Sequence, residues 1–310
     1  MTTMSISTRK PAMEFIRARL TALVVATTLA GFVLASGGHA IAWPRLLWTL
    51  LGTALTAAGA SALNQWMERE RDALMHRTRI RPLPAGLLAP RQALAIGATL
   101  VILGLAALAL GANALTAALA LVVEAVYLAA YTPLKARTPL NTLVGAFCGA
   151  IPPMMGWTAA TGGLSLGAWL LGALLFVWQI PHFLSLAWLY REDYERAGFR
   201  MLPVVDRSGR ATAEALLAST ILLIPLCLAA PLAGLTGAAF AVGSLLLGAG
   251  FAAAGLRLHR TRSRASARNL FLASLVYLPL VLGLMVVDRG PAVDHGTIAE
   301  AAAREPGATP

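Results

Sequence analysis

The sequence predicts an all-α polytopic membrane protein with nine transmembrane helices, on three observations. Hydrophobic residues make up 58% of the 310 residues and charged residues only 13%. Because a soluble protein needs roughly twice that charged fraction to cover its surface, a water-soluble globular enzyme is excluded. The mean hydropathy is +0.71, and the Lys and Arg residues fall in short patches between nine long apolar stretches. That alternation is typical of a chain that crosses a bilayer repeatedly.

Each apolar stretch is long enough for a spanning helix, which needs about 20 mostly apolar residues. The predicted spans are 19–36, 45–63, 92–110, 113–131, 141–160, 166–184, 213–232, 235–256 and 269–287. Both cysteines, Cys148 and Cys227, lie in apolar stretches. We therefore expect them to be small packing residues rather than part of a disulfide framework.

The positive charges predict the orientation of these spans. With the N-terminus in the cytoplasm, 22 of the 25 Lys and Arg residues fall in the N-terminal segment or in cytoplasmic loops. Only Arg45, Arg289 and Arg304 then fall on the other side. Cytoplasmic loops carry an excess of basic residues. We therefore expect an integral plasma (inner) membrane protein with its N-terminus in the cytoplasm and its C-terminus outside, and no nucleic-acid partner for the net charge of +11.

The acidic residues predict where the chemistry takes place. Half of the 14 carboxylates lie in two loops on the predicted cytoplasmic side. They are Glu68, Glu70, Asp72, Glu192, Asp193, Glu195 and Asp206. The connections on the other side are short and nearly uncharged, so the sequence predicts an active site on the cytoplasmic side.

Asn64, Glu68 and Asp72 follow the second predicted helix at intervals of four residues. If that helix continues to Asp72, the three side chains line one face at the membrane boundary. Hard oxygen ligands on one face suit Mg²⁺, which usually shares its coordination with substrate phosphates. The spacing is therefore typical of a magnesium site.

Arg77, Arg79 and Arg81 follow within ten residues of this motif. Guanidinium groups bind phosphate oxygens, so together with the carboxylates they indicate a diphosphate site. The alternative is a solvated loop whose arginines obey the positive-inside rule and whose acids pair with them. The second cytoplasmic loop contributes Lys135 and Arg137, which either clamp an anion or only signal topology.

Two ionisable residues lie inside predicted spans, where they are rare and often functional. His182 is an iron ligand, an acid or base, or a hydrogen-bond partner of a carbonyl freed by Pro181. If one helix continues from residue 178 onward, His182 and Asp193 share a face about 16 Å apart. Glu124 is either functional or a protonated packing contact.

Three blocks of residues resemble one known family. They are Asn64-Gln65 through Asp72 with Met75, Arg77-Thr78 and Arg81-Pro82; Tyr131 to Lys135 with Asn141-Thr142 through Pro152-Pro153 and Gly156-Trp157; and Trp178-Gln179, Pro181-His182-Phe183, Tyr190-Arg191, Asp193-Tyr194 and Gly198. They resemble the protohaem IX farnesyltransferases (haem O synthases), a branch of the UbiA-type intramembrane prenyltransferase superfamily. The match runs from about residue 15 to residue 287, and the third block indicates the haem branch.

The resemblance implies a bundle of nine helices around a central cavity, capped by the cytoplasmic loops. The chain is expected to consist of a cytoplasmic N-terminal segment (1–18), a nine-helix prenyltransferase domain (19–287) and a C-terminal tail (288–310). The tail is rich in Ala, Gly, Pro and mixed charge, so we expect it to be disordered. The resemblance also implies transfer of farnesyl from farnesyl diphosphate to a vinyl group of haem b, with addition of water, to give haem O. Mg²⁺ would be the cofactor, and membrane lipid would surround the bundle. Haem A synthase or a terminal-oxidase assembly protein would be the protein partner.

The resemblance also assigns residues to roles. The catalytic and metal-binding residues would be Asn64, Glu68, Asp72 and Asp193. The diphosphate-binding residues would be Arg77, Arg81, Lys135 and Arg191, and the haem-binding residues His182, Gln179 and Trp178. Tyr190 and Tyr194 stand where the wider superfamily has two acidic residues, which puts a complete second metal site in doubt.

Two other functions fit parts of the sequence. A quinone-type aromatic polyprenyltransferase would share the first motif, but the third block and the missing acidic pair disfavour it. A non-enzymatic transporter could use Glu124 and His182 as a proton relay. Carboxylates at one membrane face, rather than in the middle of the bilayer, disfavour a transporter.

Overall fold

A computed structural model describes residues 9–290 of the chain. Within this range, nine helices are long and apolar enough to cross a membrane, which confirms the predicted architecture. The helices are α1 (Arg9–Phe15), α2 (Ala18–Ala35), α3 (Trp43–Leu74), α4 (Pro90–Gly111), α5 (Ala114–Ala125), α6 (Thr132–Leu134), α7 (Asn141–Thr161), α8 (Leu166–Leu189), α9 (Arg191–Arg196), α10 (Leu202–Val205), α11 (Arg210–Leu232), α12 (Ala238–Thr261) and α13 (Arg264–Val287).

The second spanning helix, α3, is much longer than its apolar stretch. Its 32 residues extend over about 48 Å, against a hydrocarbon core of about 30 Å. Pro44 lies in its first turn, where the missing N–H group is not needed. The helix ends only at Leu74, so it carries Glu68 and Asp72 beyond the apolar part, as the predicted motif requires.

A π-helical segment, Val126–Tyr131, connects α5 to α6 within one continuous span. The Asn113 side chain caps α5 by accepting a hydrogen bond from the Thr116 N–H at 2.8 Å. π-Helical turns are rare and occur frequently at functional sites. Here the segment contributes Tyr127 and Tyr131 to the site described below.

Glycines allow several helices to pack closely. A Cβ added at Gly156 of α7 would clash with the Thr28 carbonyl oxygen of α2, and one at Gly52 of α3 would lie 2.9 Å from the Gly104 carbonyl oxygen of α4. Small residues at such contacts are typical of helix packing in membranes, where van der Waals contact drives association. The outward faces carry exposed apolar side chains such as Leu110 and Leu232, as expected for a surface in contact with lipid.

Both ends of the described chain are anchored to the bundle. The Gln65 amide of α3 donates hydrogen bonds to the carbonyl oxygens of Glu14 and Phe15, at 3.1 and 2.6 Å. After α13, Asp288 accepts a hydrogen bond from the Phe240 N–H at 2.6 Å. The predicted tail, 288–310, thus begins with residues packed on α12, and its remainder from 291 lies outside the described residues.

Candidate active site

A polar chamber of about 160 Å³ lies at one end of the bundle, where helix ends and loops meet. It contains five residues that the sequence predicted for a metal–diphosphate site. The complete lining is Arg17, Glu68, Asp72, Met75, Arg77, Arg81, Tyr131, Lys135, Thr142, Phe183, Leu186, Tyr194, Phe199 and Met201.

Two buried ion pairs dominate the polar chamber. Lys135 Nζ lies 2.5 Å from Glu68 Oε1, and Arg81 Nη1 donates to Asp72 Oδ2 at 2.6 Å. Glu68 and Asp72 are only 5% and 1% exposed. Carboxylates this deeply buried need partners, because removal from water costs several kcal/mol per ion. The remaining oxygen of Asp72, Oδ1, is buried without a hydrogen-bond partner.

Positive charge exceeds negative charge in the chamber lining. Four cations, from Arg17, Arg77, Arg81 and Lys135, accompany the two carboxylates. Burial lowers the pKa of Lys135, although Glu68 opposes the shift. Burial and the nearby Arg17 lower the pKa of Arg81. An anion with several charges would offset this excess, so the chamber suits a phosphate-bearing ligand.

The donor set fits a magnesium ion. Between residues 9 and 290, no group of three or more His, Cys, Asp and Glu side chains could hold a metal alone. Mg²⁺ is usually bound by one or two carboxylates, with waters and substrate phosphates in the other positions. Glu68 and Asp72, with the unpartnered Oδ1 of Asp72, meet that requirement.

Asn64 precedes Glu68 by one turn of α3, and its side chain makes two hydrogen bonds. Its Oδ1 accepts a hydrogen bond from Arg17 Nη2 at 2.8 Å. Its Nδ2 donates to Thr132 Oγ1 at 3.0 Å. The amide oxygen that was predicted to bind the metal is therefore occupied by a guanidinium group.

Arg17 is a site residue that the sequence did not predict. In the sequence, Arg17 contributes only to the positive charge that predicts the orientation. Its second nitrogen, Nη1, donates to the Tyr127 hydroxyl at 3.3 Å. Its backbone is left-handed, with φ of 46°, which is uncommon for a residue other than glycine and tends to occur at functional sites.

Tyr190 and Tyr194, the two tyrosines at the superfamily's acidic positions, contact Arg77, which the sequence predicts to bind the diphosphate. The guanidinium carbon of Arg77 lies 5.1 Å from the ring centre of Tyr190 and 5.9 Å from that of Tyr194. Arg77 Nη2 also donates to the Tyr194 hydroxyl at 3.4 Å. Both contacts orient the guanidinium, since cations are attracted to aromatic faces within about 6 Å.

Asp193 and Arg191 do not line the polar chamber. Asp193 accepts hydrogen bonds from the backbone N–H groups of His76 and Arg77, at 3.3 and 3.4 Å, and from Arg196 at 3.0 Å. These contacts connect α9 to the turn that follows α3. Arg191 makes no described contact with either carboxylate of the chamber.

The three predicted haem residues lie along α8 and separate into two groups. Gln179 lines the apolar cavity described below. Trp178 Nε1 donates to the Ser274 carbonyl oxygen at 3.0 Å, and His182 Nδ1 lies 2.8 Å from the Ser274 hydroxyl. Trp178 and His182 therefore face α13.

The continuous helix from residue 178 to Asp193 was a wrong prediction, because α8 ends at Leu189 and α9 begins at Arg191.

An apolar cavity of about 210 Å³ adjoins the polar chamber. The two spaces share Arg17, Tyr131 and Phe183. The cavity's other lining residues are Leu20, Val24, Thr53, Thr56, Ala57, Ala60, Ser61, Ala120, Val123, Glu124, Tyr127, Gly145, Cys148, Gly149, Pro152, Met155 and Gln179. An ionic chamber beside an apolar cavity suits a ligand with a charged head and a hydrocarbon chain.

The chain matches a family model over most of its length. The model describes the UbiA prenyltransferase family and matches residues 24–276. The chain belongs to the UbiA prenyltransferase family. The matched region includes both carboxylates of the chamber, whereas Arg17 precedes it. Membership in this family and the nine apolar helices between residues 9 and 290 together identify an integral membrane protein and a prenyltransferase.

Two curated relatives are similar over most of both chains. The chain is 50% identical to protoheme IX farnesyltransferase of Solibacter usitatus over 245 residues, covering 79% of this chain and 84% of that protein. It is 43% identical to protoheme IX farnesyltransferase of Koribacter versatilis over 285 residues, covering 89% and 92%.

Solved structures share the fold of this UbiA-family chain. A digeranylgeranylglyceryl phosphate synthase matches with a TM-score of 0.75 and 18% identity, over 90% of this chain and 97% of that one. A UbiA homolog from Archaeoglobus fulgidus bound to GPP and Mg²⁺ matches with a TM-score of 0.61 and 13% identity, over 89% and 99%. At these identities the likeness shows the fold alone.

Proposed function

We propose that this protein transfers the farnesyl group of farnesyl diphosphate to a vinyl group of haem b, with addition of water, and so forms haem O. Two lines of evidence support this function. The similar curated relatives are protoheme IX farnesyltransferases. The observation that carries the proposal is the pair of buried ion pairs, Glu68–Lys135 and Asp72–Arg81, next to an apolar cavity.

We assign the metal site to Glu68 and Asp72. When bound there, Mg²⁺ would supply charge neutralisation for the diphosphate leaving group. The chain's own contribution is to hold two carboxylates on one helical face, one turn apart. Asn64 supports this face indirectly, by fixing Arg17 and Thr132 beside it.

The cations of the chamber bind the diphosphate by changing partners. Lys135 and Arg81 neutralise the carboxylates in the structure described here. With a metal held by the two carboxylates, Lys135 and Arg81 would be available for phosphate oxygens. Arg77, held by Tyr190 and Tyr194, contributes a guanidinium that is already oriented. Fixed donors of this kind stabilise charge that develops on a leaving group.

The apolar cavity holds the farnesyl chain and protects the reacting carbon. Cleavage of the bond between carbon and diphosphate oxygen leaves an allylic cation, which water would capture prematurely in an open site. The vinyl group of haem b attacks that cation, and water then adds to the carbon beside the pyrrole ring and releases a proton, which leaves a hydroxyl group there. Tyr131 and Phe183 lie at the junction of chamber and cavity, where they restrict the access of water.

We assign the remaining predicted residues to positioning. Asp193 orients the turn that carries Arg77, and Arg191 belongs to the same short helix, α9. Gln179 contacts the acceptor from the cavity wall. Trp178 and His182 hold α8 against α13 through Ser274.

We also propose the orientation that the positive charges predict, with the polar chamber on the cytoplasmic side of the plasma membrane. Haem O produced there would pass to a terminal oxidase or to a haem A synthase.

The direct test is turnover by the purified protein. Incubation with haem b, farnesyl diphosphate and Mg²⁺ should give a porphyrin that is heavier by one farnesyl group plus one hydroxyl group in the mass spectrum. Asp72→Asn protein, prepared in the same way, should give no such product. Product formation from a small aromatic acceptor, but none from haem b, would contradict the proposal.

A further inference from the structure

Two buried polar atoms in the wall of the apolar cavity lack partners. Glu124 of α5 is 5% exposed, and its Oε2 has no hydrogen-bond partner within the described structure. Thr53 of α3 is 1% exposed, and its Oγ1 lacks a partner as well. Unpaired buried polar atoms are costly, so two of them in one cavity indicate a place for a water molecule.

The depth of these groups follows from the contact between α3 and α6. Asn64 Nδ2 and Thr132 Oγ1 are hydrogen-bonded, so the two residues lie at one level. Thr53 precedes Asn64 by eleven residues, and Glu124 precedes Thr132 by eight. At about 1.5 Å per residue, Thr53 lies about 16 Å farther from the polar chamber. Glu124 lies at most about 12 Å farther, because the π-helical segment Val126–Tyr131 rises less per residue than an α-helix. The Glu124 side chain leans farther still, because helical side chains tilt toward the N-terminus.

This depth corresponds to the length of a farnesyl chain. The main chain of farnesyl contains eleven bonds from its first carbon, which span about 13 Å at the extended-chain rise of about 1.2 Å per bond. A geranylgeranyl chain contains fifteen bonds and spans about 18 Å. If the first carbon lies at the level of Asn64, farnesyl ends beside Glu124. The longer chain would pass the carboxyl group.

We propose that Glu124 and Thr53 select the length of the prenyl chain by holding a water molecule where a farnesyl chain ends. The inference rests on the proposed function, in which the apolar cavity holds the prenyl chain. A longer chain would displace the water and press methyl groups against the carboxyl and hydroxyl groups. Both polar groups would then be buried without partners, which disfavours the longer substrate.

The test compares farnesyl and geranylgeranyl diphosphate as donors. In Glu124→Leu protein, the ratio of kcat/KM for geranylgeranyl to that for farnesyl should rise by about tenfold or more, equivalent to about 1.4 kcal/mol. Glu124→Gln keeps a polar group and should keep a ratio close to that of the wild type. Thr53→Val should raise the ratio as well. Thr56→Val is the matched control, because the Thr56 hydroxyl already donates to the Thr53 carbonyl oxygen at 3.1 Å.

Competition between farnesyl and geranylgeranyl diphosphate in a thermal-shift assay measures the preference for one prenyl chain over the other without turnover. This readout separates the inference from the proposed function, since it does not depend on haem b. A wild-type ratio in both Glu124→Leu and Thr53→Val would overturn the inference. An equal rise in Thr56→Val would also overturn it, because the effect would then not depend on the unpartnered groups. If Glu124→Leu fails to fold, the comparison of Thr53→Val with Thr56→Val decides.

Discussion

Arg17 connects the two spaces of the site through one planar group. One guanidinium nitrogen donates to Asn64 Oδ1 at 2.8 Å and the other to the Tyr127 hydroxyl at 3.3 Å. The same side chain lines both the polar chamber and the apolar cavity. It is therefore placed where the first carbon of a prenyl diphosphate would have to lie.

Replacing Arg17 with Lys should lower kcat/KM by about tenfold, because an ammonium group cannot reproduce two divergent donors, and each hydrogen bond to a charged group is worth about 1.5–3 kcal/mol. Steady-state kinetics with farnesyl diphosphate measures the loss. Arg19→Lys, two residues farther along α2, is the control. Equal loss in both variants would indicate a general effect of charge and contradict this role.

Arg77 is fixed by aromatic faces, which distinguishes it from its neighbour Arg79. Arg77→Lys should raise the KM for farnesyl diphosphate by about tenfold, since a lysine loses both the stacking and the forked geometry. Arg79→Lys should keep the wild-type KM, because Arg79 does not line the chamber. An unchanged KM in Arg77→Lys would show that the two tyrosines do not orient a diphosphate ligand.

At the scale of elements, a close contact holds α2 against α7. Gly156→Ala places a Cβ against the Thr28 carbonyl oxygen, so the helices must separate. Overpacking of this kind costs about 1–3 kcal/mol, and thermal unfolding in detergent should occur several degrees lower. Gly283→Ala on α13 is the matched control, because nothing lies within 4 Å of its added Cβ. Equal melting temperatures for the two variants would contradict this packing.

Local patterns explain which elements were predictable. Hydropathy gives the nine spans, and the four-residue spacing places Glu68 and Asp72 on one face of α3. Each of these signals can be recognised from the residues of a single helix, without knowledge of its neighbours. The break at Tyr190 was missed because periodicity cannot show that one helix ends and another begins within two residues. Arg17 was missed because its importance comes from contacts with Asn64 and Tyr127, which are distant in sequence.

For the whole molecule, the alternation of nine helices predicts the side on which each loop lies. Reporter fusions after residues 90, 136, 208 and 264 should all report the cytoplasm, because the basic patches lie in these loops. An accessibility assay of intact cells measures this directly. A periplasmic signal from any of the four fusions would contradict the orientation.

The central claim is that Glu68 and Asp72, with their cationic partners, form a magnesium–diphosphate site. Calorimetric titration of the purified protein with a non-reactive farnesyl diphosphate analogue, with and without Mg²⁺, tests it most directly. The wild type should bind the analogue at least about tenfold more tightly with Mg²⁺, and Asp72→Asn should lose this gain, in line with the effect of altered metal ligation. Glu70→Gln, whose side chain is exposed on the same helix, should keep it. The same gain in Asp72→Asn as in the wild type would contradict the account.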